Sequence, residues 1–244
     1  MKIAFARGPL LALALAVPAA AQDDPPTPAA LMQSMAEALA GAESFSFHVE
    51  KTFDDVLLDG AIIELGGGID VAAARPGSLY VSYGGDTASK QAWVADGVLT
   101  LVDHRARVVG TVAAEGDLDA ALDDVAARHD LRMPLADLIS SDLPERLAGL
   151  DAQAIYVGLH DVEGAPSHHV LLRGTERDAQ LWIDAGETPV LNKLVITDIA
   201  LPGRPRTAFV FSEWSLEARF PDGLFDPDTP EGYASAAFLP AQGD

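Results

Sequence analysis

The stretch Gln91-Ala92-Trp93-Val94-Ala95-Asp96-Gly97-Val98-Leu99-Thr100-Leu101-Val102 decides the architecture. Two strand-forming runs meet at Asp96-Gly97. Both residues of that pair tolerate positive φ, so the pair predicts a tight hairpin. Similar runs lie on both sides. Phe45, Phe47 and Val49 alternate with Ser46, His48 and Glu50, the period of a half-buried strand. Runs 61–65 and 69–73 flank Gly66-Gly67-Gly68, expected to be a bulge or bend in one long strand. Leu79, Val81 and Tyr83 alternate again, and 107–112 reads as a further strand. Downstream, runs 154–159, 167–173, 180–184, 191–198 and 207–215 resume the pattern. Their links carry Glu163-Gly164, Gly186 and Pro202-Gly203, all turn chemistry.

Helical periodicity appears in two places. Leu31, Met35, Ala38, Leu39 and Ala42 follow Thr27-Pro28, a capping residue with proline in the first turn, and Gly41 ends the run. Between the two groups of strands, Leu118, Ala121, Leu122, Val125 and Ala126 share one face behind a capping Asp117. A short helix is expected over 134–139. Asp142 with Glu145 resembles a capping box for another, carrying Leu143, Leu147 and Leu150. The expected fold class is therefore α+β, a large curved antiparallel sheet with helices covering one face. Residues 28–220 form one domain, and the proline- and glycine-rich 221–244 is an irregular tail.

The first residues read as an export signal. Lys2 and Arg7 give a positive start, residues 10–17 are unbroken apolar, and Ala19-Ala20-Ala21 precedes Gln22. That order predicts cleavage between Ala21 and Gln22, with 22–27 as a linker. The apolar run is far short of the roughly 20 residues that span a bilayer. The expected location is the periplasm, with no membrane span in the mature chain.

The 244 residues carry a formal charge of −21, and loss of Lys2 and Arg7 would make it −23. Such a charge opposes nucleic acid and anionic membrane surfaces. With 49% apolar residues the chain can build a core, and with no cysteine it must do so without disulfides. The same absence rules out a lipidated N-terminal cysteine.

Five segments taken in order resemble a family of uncharacterised predicted periplasmic proteins. They are WVADGVLTLVD (93–103), LDDVAARHDLRMPLADLISSD (122–142), YVGLHDVEGAPSHHVLLR (156–173), QLWIDAGETPVLNKLVIT (180–197) and FSEWSL (211–216). That family resembles a branch of the LolA/LolB-like superfamily. The resemblance implies an unclosed β-barrel with helices on its concave face. It also implies carriage of lipids or lipoproteins, or sensing of envelope components. No functional residue of the lipoprotein carriers matches a position here.

Polar chemistry is sparse. His168 and His169 are adjacent in a strand, so they point to opposite faces and cannot readily share a metal, although His160 with Asp161 can join either. No spaced histidine–carboxylate set is present, and no metal or other cofactor is expected. Ser140-Ser141-Asp142 reads as a helix start rather than a nucleophile. The acidic pairs Asp54-Asp55 and Asp123-Asp124 read as a turn and a solvated helix face. Catalysis is therefore not expected, and a hydrolase is the least favoured reading.

The apolar strand positions carry more. Phe45, Phe47, Val49, Leu79, Val81, Trp93, Leu101, Trp182, Phe209, Phe211 and Trp214 are the candidates for lining a hydrophobic cavity. The competing reading is ordinary core packing. A curved sheet of this size can hold a ligand. The expectation is a periplasmic carrier or binding protein for a hydrophobic small molecule, a lipid or a lipidated chain, with helices 31–42 and 118–126 as the lid. The alternative is an envelope sensing or interaction module with a protein partner and no cargo.

Overall fold

A computed structural model describes residues 25–241 apart from 132, 134 and 151. The expected cleavage site at Ala21 and Gln22 lies outside the described residues. Helix α1 (Pro28–Ala40) leads into six strands: β1 (Ser44–Val56), β2 (Ile62–Ala74), β3 (Ser78–Gly85), β4 (Ser89–Ala95), β5 (Val98–Asp103) and β6 (Val108–Ala113). Three helices follow, α2 (Leu118–His129), α3 (Ala136–Ile139) and α4 (Leu143–Ala148). Then come β7 (Gln153–Val162), β8 (Ala165–Arg173), β9 (Arg177–Asp184), β10 (Leu191–Asp198), β11 (Arg206–Ser215) and the two-residue β12 (Ala234–Ser235).

The twelve strands among the described residues form one sheet in the order β12-β6-β5-β4-β3-β2-β1-β11-β10-β9-β8-β7. Two antiparallel meanders are joined along β1 and β11, where Val49 sits opposite Phe211. The sheet does not close: β12 and β7 are its two ends. β12 runs parallel to β6, and the other pairings are antiparallel. The hairpin predicted at the start of the sequence forms between β4 and β5, with Asp96 at φ 50 and Gly97 at φ 74.

Alternation divides each strand between two faces. The inner face carries Phe45, Phe47, Val49, Ile69, Val71, Leu79, Val81, Val94, Leu99, Val170, Leu181, Phe209 and Phe211. The helices supply Met32, Met35, Leu39, Leu118, Leu122, Leu138 and Leu143 to the same apolar cluster. Burying each large aliphatic side chain stabilises the fold by roughly 1.5–3 kcal/mol. Arg75 fastens helices to sheet: its Nε donates to Ala42 O (3.1 Å) and its Nη2 to Ile139 O (2.8 Å). Thr27 Oγ1 accepts from Ala30 N and Asp117 Oδ1 from Ala120 N, so the expected caps of α1 and α2 form.

Three local expectations need correction. Gly66, Gly67 and Gly68 sit inside β2 in unbroken register with β1, without a bulge. A Cβ on Gly67 would lie 2.5 Å from Gly85 Cα and 2.9 Å from the Tyr83 ring, so close approach demands the glycine. Asp142 makes no capping bond to α4, because its carboxylate accepts from Ser140 Oγ and Arg146 Nε instead. Asp54 and Asp55 lie in β1 rather than in a turn, with Asp54 Oδ2 accepting from Arg206 N.

The tail after β11 crosses the end of the sheet. On the outer face Trp93 Nε1 donates to Leu224 O (3.2 Å), and the Tyr233 hydroxyl lies 3.1 Å from His104 Nδ1. β12 then pairs with β6, and the chain passes to the inner side, where Phe238 packs 5.7 Å from His129.

Candidate ligand cavity

A cavity of about 300 Å³ opens on the inner face. β2 contributes Ile69, β3 Val81 and Tyr83, β4 Lys90 and Ala92, and β5 Leu99 and Leu101. Leu131 and Met133 cover it from the segment after α2. That segment leaves α2 through Asp130, a left-handed residue at φ 50, which turns the chain away from the helix axis. The volume lies at the low end of ligand pockets, roughly 300–1,000 Å³. A smaller cavity of about 80 Å³ shares Leu99, Leu131 and Met133 and is bordered by Leu122, Val125 and Arg146.

Polar side chains gather at one end. Tyr83 and Lys90 are directly opposed across β3 and β4, and Lys90 is opposed to Asp103 across β4 and β5. Lys90 Nζ lies 3.5 Å from Asp103 Oδ2. The backbone N–H of Ala106 donates to Asp103 and, with lesser help from Lys90, holds its carboxyl below the usual range.

The candidate apolar residues divide three ways. Val81 and Leu101 line the cavity. Phe45, Phe47, Val49, Leu79, Phe209, Phe211 and Trp214 lie on the same face but pack against neighbours; the Phe47 and Trp214 rings are 4.4 Å apart. Trp93 and Trp182 face outward, because each falls on the opposite parity of its strand. Trp182 stacks on His169 there at 4.0 Å. Helix α1 contributes Met35 and Leu39 as solid core, and the cover is Leu131 and Met133 rather than the two long helices. Tyr83 and Leu99 were within reach of the alternation pattern. Leu131 and Met133 carry no sequence signal, because they follow a helix without periodicity of their own.

The histidines separate as strand parity requires. His168 Nδ1 meets the Tyr156 hydroxyl at 3.0 Å, while His169 meets His160 at 3.1 Å on the other face. Among the described residues no group of three or more His, Asp or Glu is arranged to hold a metal. Ser140 donates to Asp142 and Ser141 to Asp119, contacts that anchor the chain between α3 and α4. On the outer face His48 Nδ1 lies 2.6 Å from Asp70 Oδ1, and Ser82 Oγ donates to Asp70 Oδ2 at 3.0 Å. The serine therefore bonds the carboxylate and not the imidazole, which differs from a nucleophile–base pair.

The structure thus defines an open antiparallel sheet with a helical insert and an apolar inner cavity. The chain belongs to the family described as "Predicted periplasmic protein (DUF2092)", whose model matches residues 29–239. Comparison with curated protein sequences gives no match. Among solved structures, an uncharacterised conserved protein from Thermus thermophilus is similar at a TM-score of 0.49 and 6% identity, covering 85% of this chain and 96% of that one. A chain of the Pseudomonas aeruginosa MucA/MucB complex is similar at 0.46 and 14%, covering 82% and 61% respectively. A LolA superfamily protein from Nitrosomonas europaea is similar at 0.36 and 12%, covering 83% and 99%. No helix among the described residues is long and apolar enough to cross a membrane.

Proposed function

We propose that this protein is an exported periplasmic carrier or binding protein for a hydrophobic ligand, held between the sheet and the Leu131–Met133 cover. The observation that carries the reading is the cavity wall: Ile69, Val81, Ala92, Leu99, Leu101, Leu131 and Met133 converge on one hollow. Binding would come from apolar burial, worth about 25 cal/mol per Å² removed from water. This is a binding role rather than catalysis, in keeping with serines that donate to carboxylates.

The test uses the fluorescent apolar probe N-phenyl-1-naphthylamine. The mature protein is expected to bind it saturably, and Ala92→Phe, which fills the cavity, is expected to abolish binding while the protein still melts cooperatively. Absence of saturable binding by the unaltered protein would sink the proposal. Periplasmic fractionation with N-terminal sequencing tests export, the expected first residue being Gln22.

A second reading, an envelope interaction module, draws on a different surface. Leu57, Leu58, Ile62 and Ile63 at the β1–β2 hairpin are exposed, as is Leu201 in the β10–β11 turn. Gly203 lies beside Val56 and Ile62, which places the two turns together. Exposed apolar patches of this kind mark contact sites. The neighbouring Asp54, Asp55, Asp59 and Glu64 oppose an anionic lipid surface and favour a protein partner. Envelope crosslinking from Leu58 is expected to capture one protein under this reading. Loss of that product in Leu58→Asp, with probe binding retained, would separate the two roles.

A further inference from the structure

We infer that the C-terminal segment 236–241 is a latch on the ligand cavity: it fastens the root of the cover formed by Leu131 and Met133 to β6, and ligand exchange requires it to lift. This rests on the reading of the cavity as a ligand site and adds to it how the cavity opens.

The cover starts at the end of α2. His129 is the last residue of that helix, Asp130 turns the chain, and Leu131 and Met133 follow over the cavity. The tail grips this end. Ala241 N donates to Arg128 O at 2.7 Å. The last carbonyls of a helix have no partner within it, so the tail supplies one that α2 lacks. His129 Nδ1 donates to Leu239 O at 2.9 Å, and the Phe238 ring packs on the His129 imidazole with centroids 5.7 Å apart.

The same segment is seated on the sheet. Ala234 and Ser235 pair with Val108 and Val109 of β6, and Ala236 N donates to Val109 O at 2.8 Å. Phe238 then lies over Gly110, where an added Cβ would meet its Cε2 at 3.0 Å. The glycine therefore makes room for the ring. Gly110 is opposed to Leu101 across β5 and β6, and Leu101 lines the cavity. Leu101 and Phe238 also border a second hollow of about 180 Å³. The ring thus bridges β6 and the end of α2 beside the cavity wall.

The hold is light. Within 236–241, Ala236 and Phe238 are half-buried and the other residues are exposed. A two-residue bridge and single hydrogen bonds are contacts that break in local opening, without global unfolding. Helix α2 stays in place when the tail leaves, because Arg128 Nη2 also donates to Ala113 O at the end of β6 (2.6 Å) and Leu118, Ala121 and Val125 belong to the core. Lifting the tail therefore frees the segment beyond Asp130, which carries the cover.

The test compares the mature protein with a form ending at Ser235, which keeps β12 and the tail contacts to Trp93 and His104. In stopped-flow measurements with N-phenyl-1-naphthylamine, association and dissociation are both expected to be about tenfold faster in the shortened form, with Kd changed by less than about threefold, because a gate alters the path and not the site. Phe238→Ala and His129→Leu are expected to speed both rates as well. His129→Asn, which keeps a donor near the Nδ1 position, is expected to leave them near those of the unaltered protein. Hydrogen–deuterium exchange without ligand is expected to rise in peptides carrying Leu131 and Met133 and to stay unchanged in β1 and β11. Unchanged exchange at the cover, in both the shortened form and Phe238→Ala, would overturn the latch whether or not the probe binds. Raised exchange with unchanged rates would overturn its part in ligand exchange while leaving the cavity standing. Weaker binding with unchanged association would place the tail in the site itself and overturn the gate. Absence of probe binding by the unaltered protein would instead remove the cavity reading.

Discussion

The Nδ1 atoms of His160 and His169 lie 3.1 Å apart, so in that contact one ring donates and the other must accept in its neutral form. His169 also faces Gln180 Oε1 at 3.2 Å and stacks on Trp182. Burial is the main cause that lowers its pKa, and the charge of His160 acts in the same direction. A histidine held below its ordinary pKa contributes stability that is complete above about pH 6.5 and is lost as pH falls through its folded value. Resonances of the His169 ring are expected to titrate below pH 6.5, and His160→Asn is expected to move that midpoint upward. A midpoint at or above the ordinary value would contradict the arrangement.

His48 has the opposite sign. Its hydrogen bond to Asp70 raises its pKa, with Glu50 adding to the effect against partial burial. The stability it contributes is therefore complete below about pH 6.5 and lost as pH rises through its folded value. Asp70→Asn should lower the His48 midpoint in an NMR titration. The stability gap between the variant and the unaltered protein, measured by urea unfolding, should be widest at acid pH and shrink above neutrality. A gap that grows with pH would contradict the ion pair.

Gly67 and Gly84 offer a matched pair on neighbouring strands. A Cβ on Gly67 would strike Gly85 Cα at 2.5 Å, whereas one on Gly84 meets nothing within 4 Å. Gly67→Ala is expected to cost about 1–3 kcal/mol. Gly84→Ala should stay within about 0.5 kcal/mol. Chemical denaturation of both variants settles the comparison, and equal costs would argue against close approach as the reason for the glycine run.

Removal of the tail from residue 221 onward should uncover the outer face. Trp93 is 3% exposed, and its indole N–H donates to Leu224. Truncation after Phe220 is expected to shift tryptophan emission to the red and destabilise the domain by at least about 2 kcal/mol. The shift should vanish when Trp93→Phe is combined with the truncation. A truncated protein with unchanged emission and Tm would show that the tail does not shield this face.

The strands and the two long helices were legible because their signals are local. Asp96-Gly97 specifies its own turn, and Thr27 and Asp117 cap their own helices. Alternation also settled the opposite facing of His168 and His169. The cavity was only half legible. Val81 and Leu101 follow from parity, but the outward placement of Trp93 and Trp182 becomes clear only once each strand is anchored to its neighbours. Hydrophobicity does not distinguish a core residue from one beneath the tail.

The pairing of β1 with β11 sets how the chain must assemble. Each meander is built from strands adjacent in sequence, contacts that form quickly because little chain entropy is lost in bringing them together. The seam unites segments as distant as Ser44 and Ala218, 174 positions apart, whose hydroxyl and carbonyl bond at 2.9 Å. Loop-closure entropy therefore falls almost wholly on that one ladder. Until the seam zips, β1 and β11 are exposed edges with free backbone donors and acceptors, open to pairing with another chain. The helical insert supplies both the tether and the apolar cluster that draws the two halves together, so its packing governs how long those edges stay open.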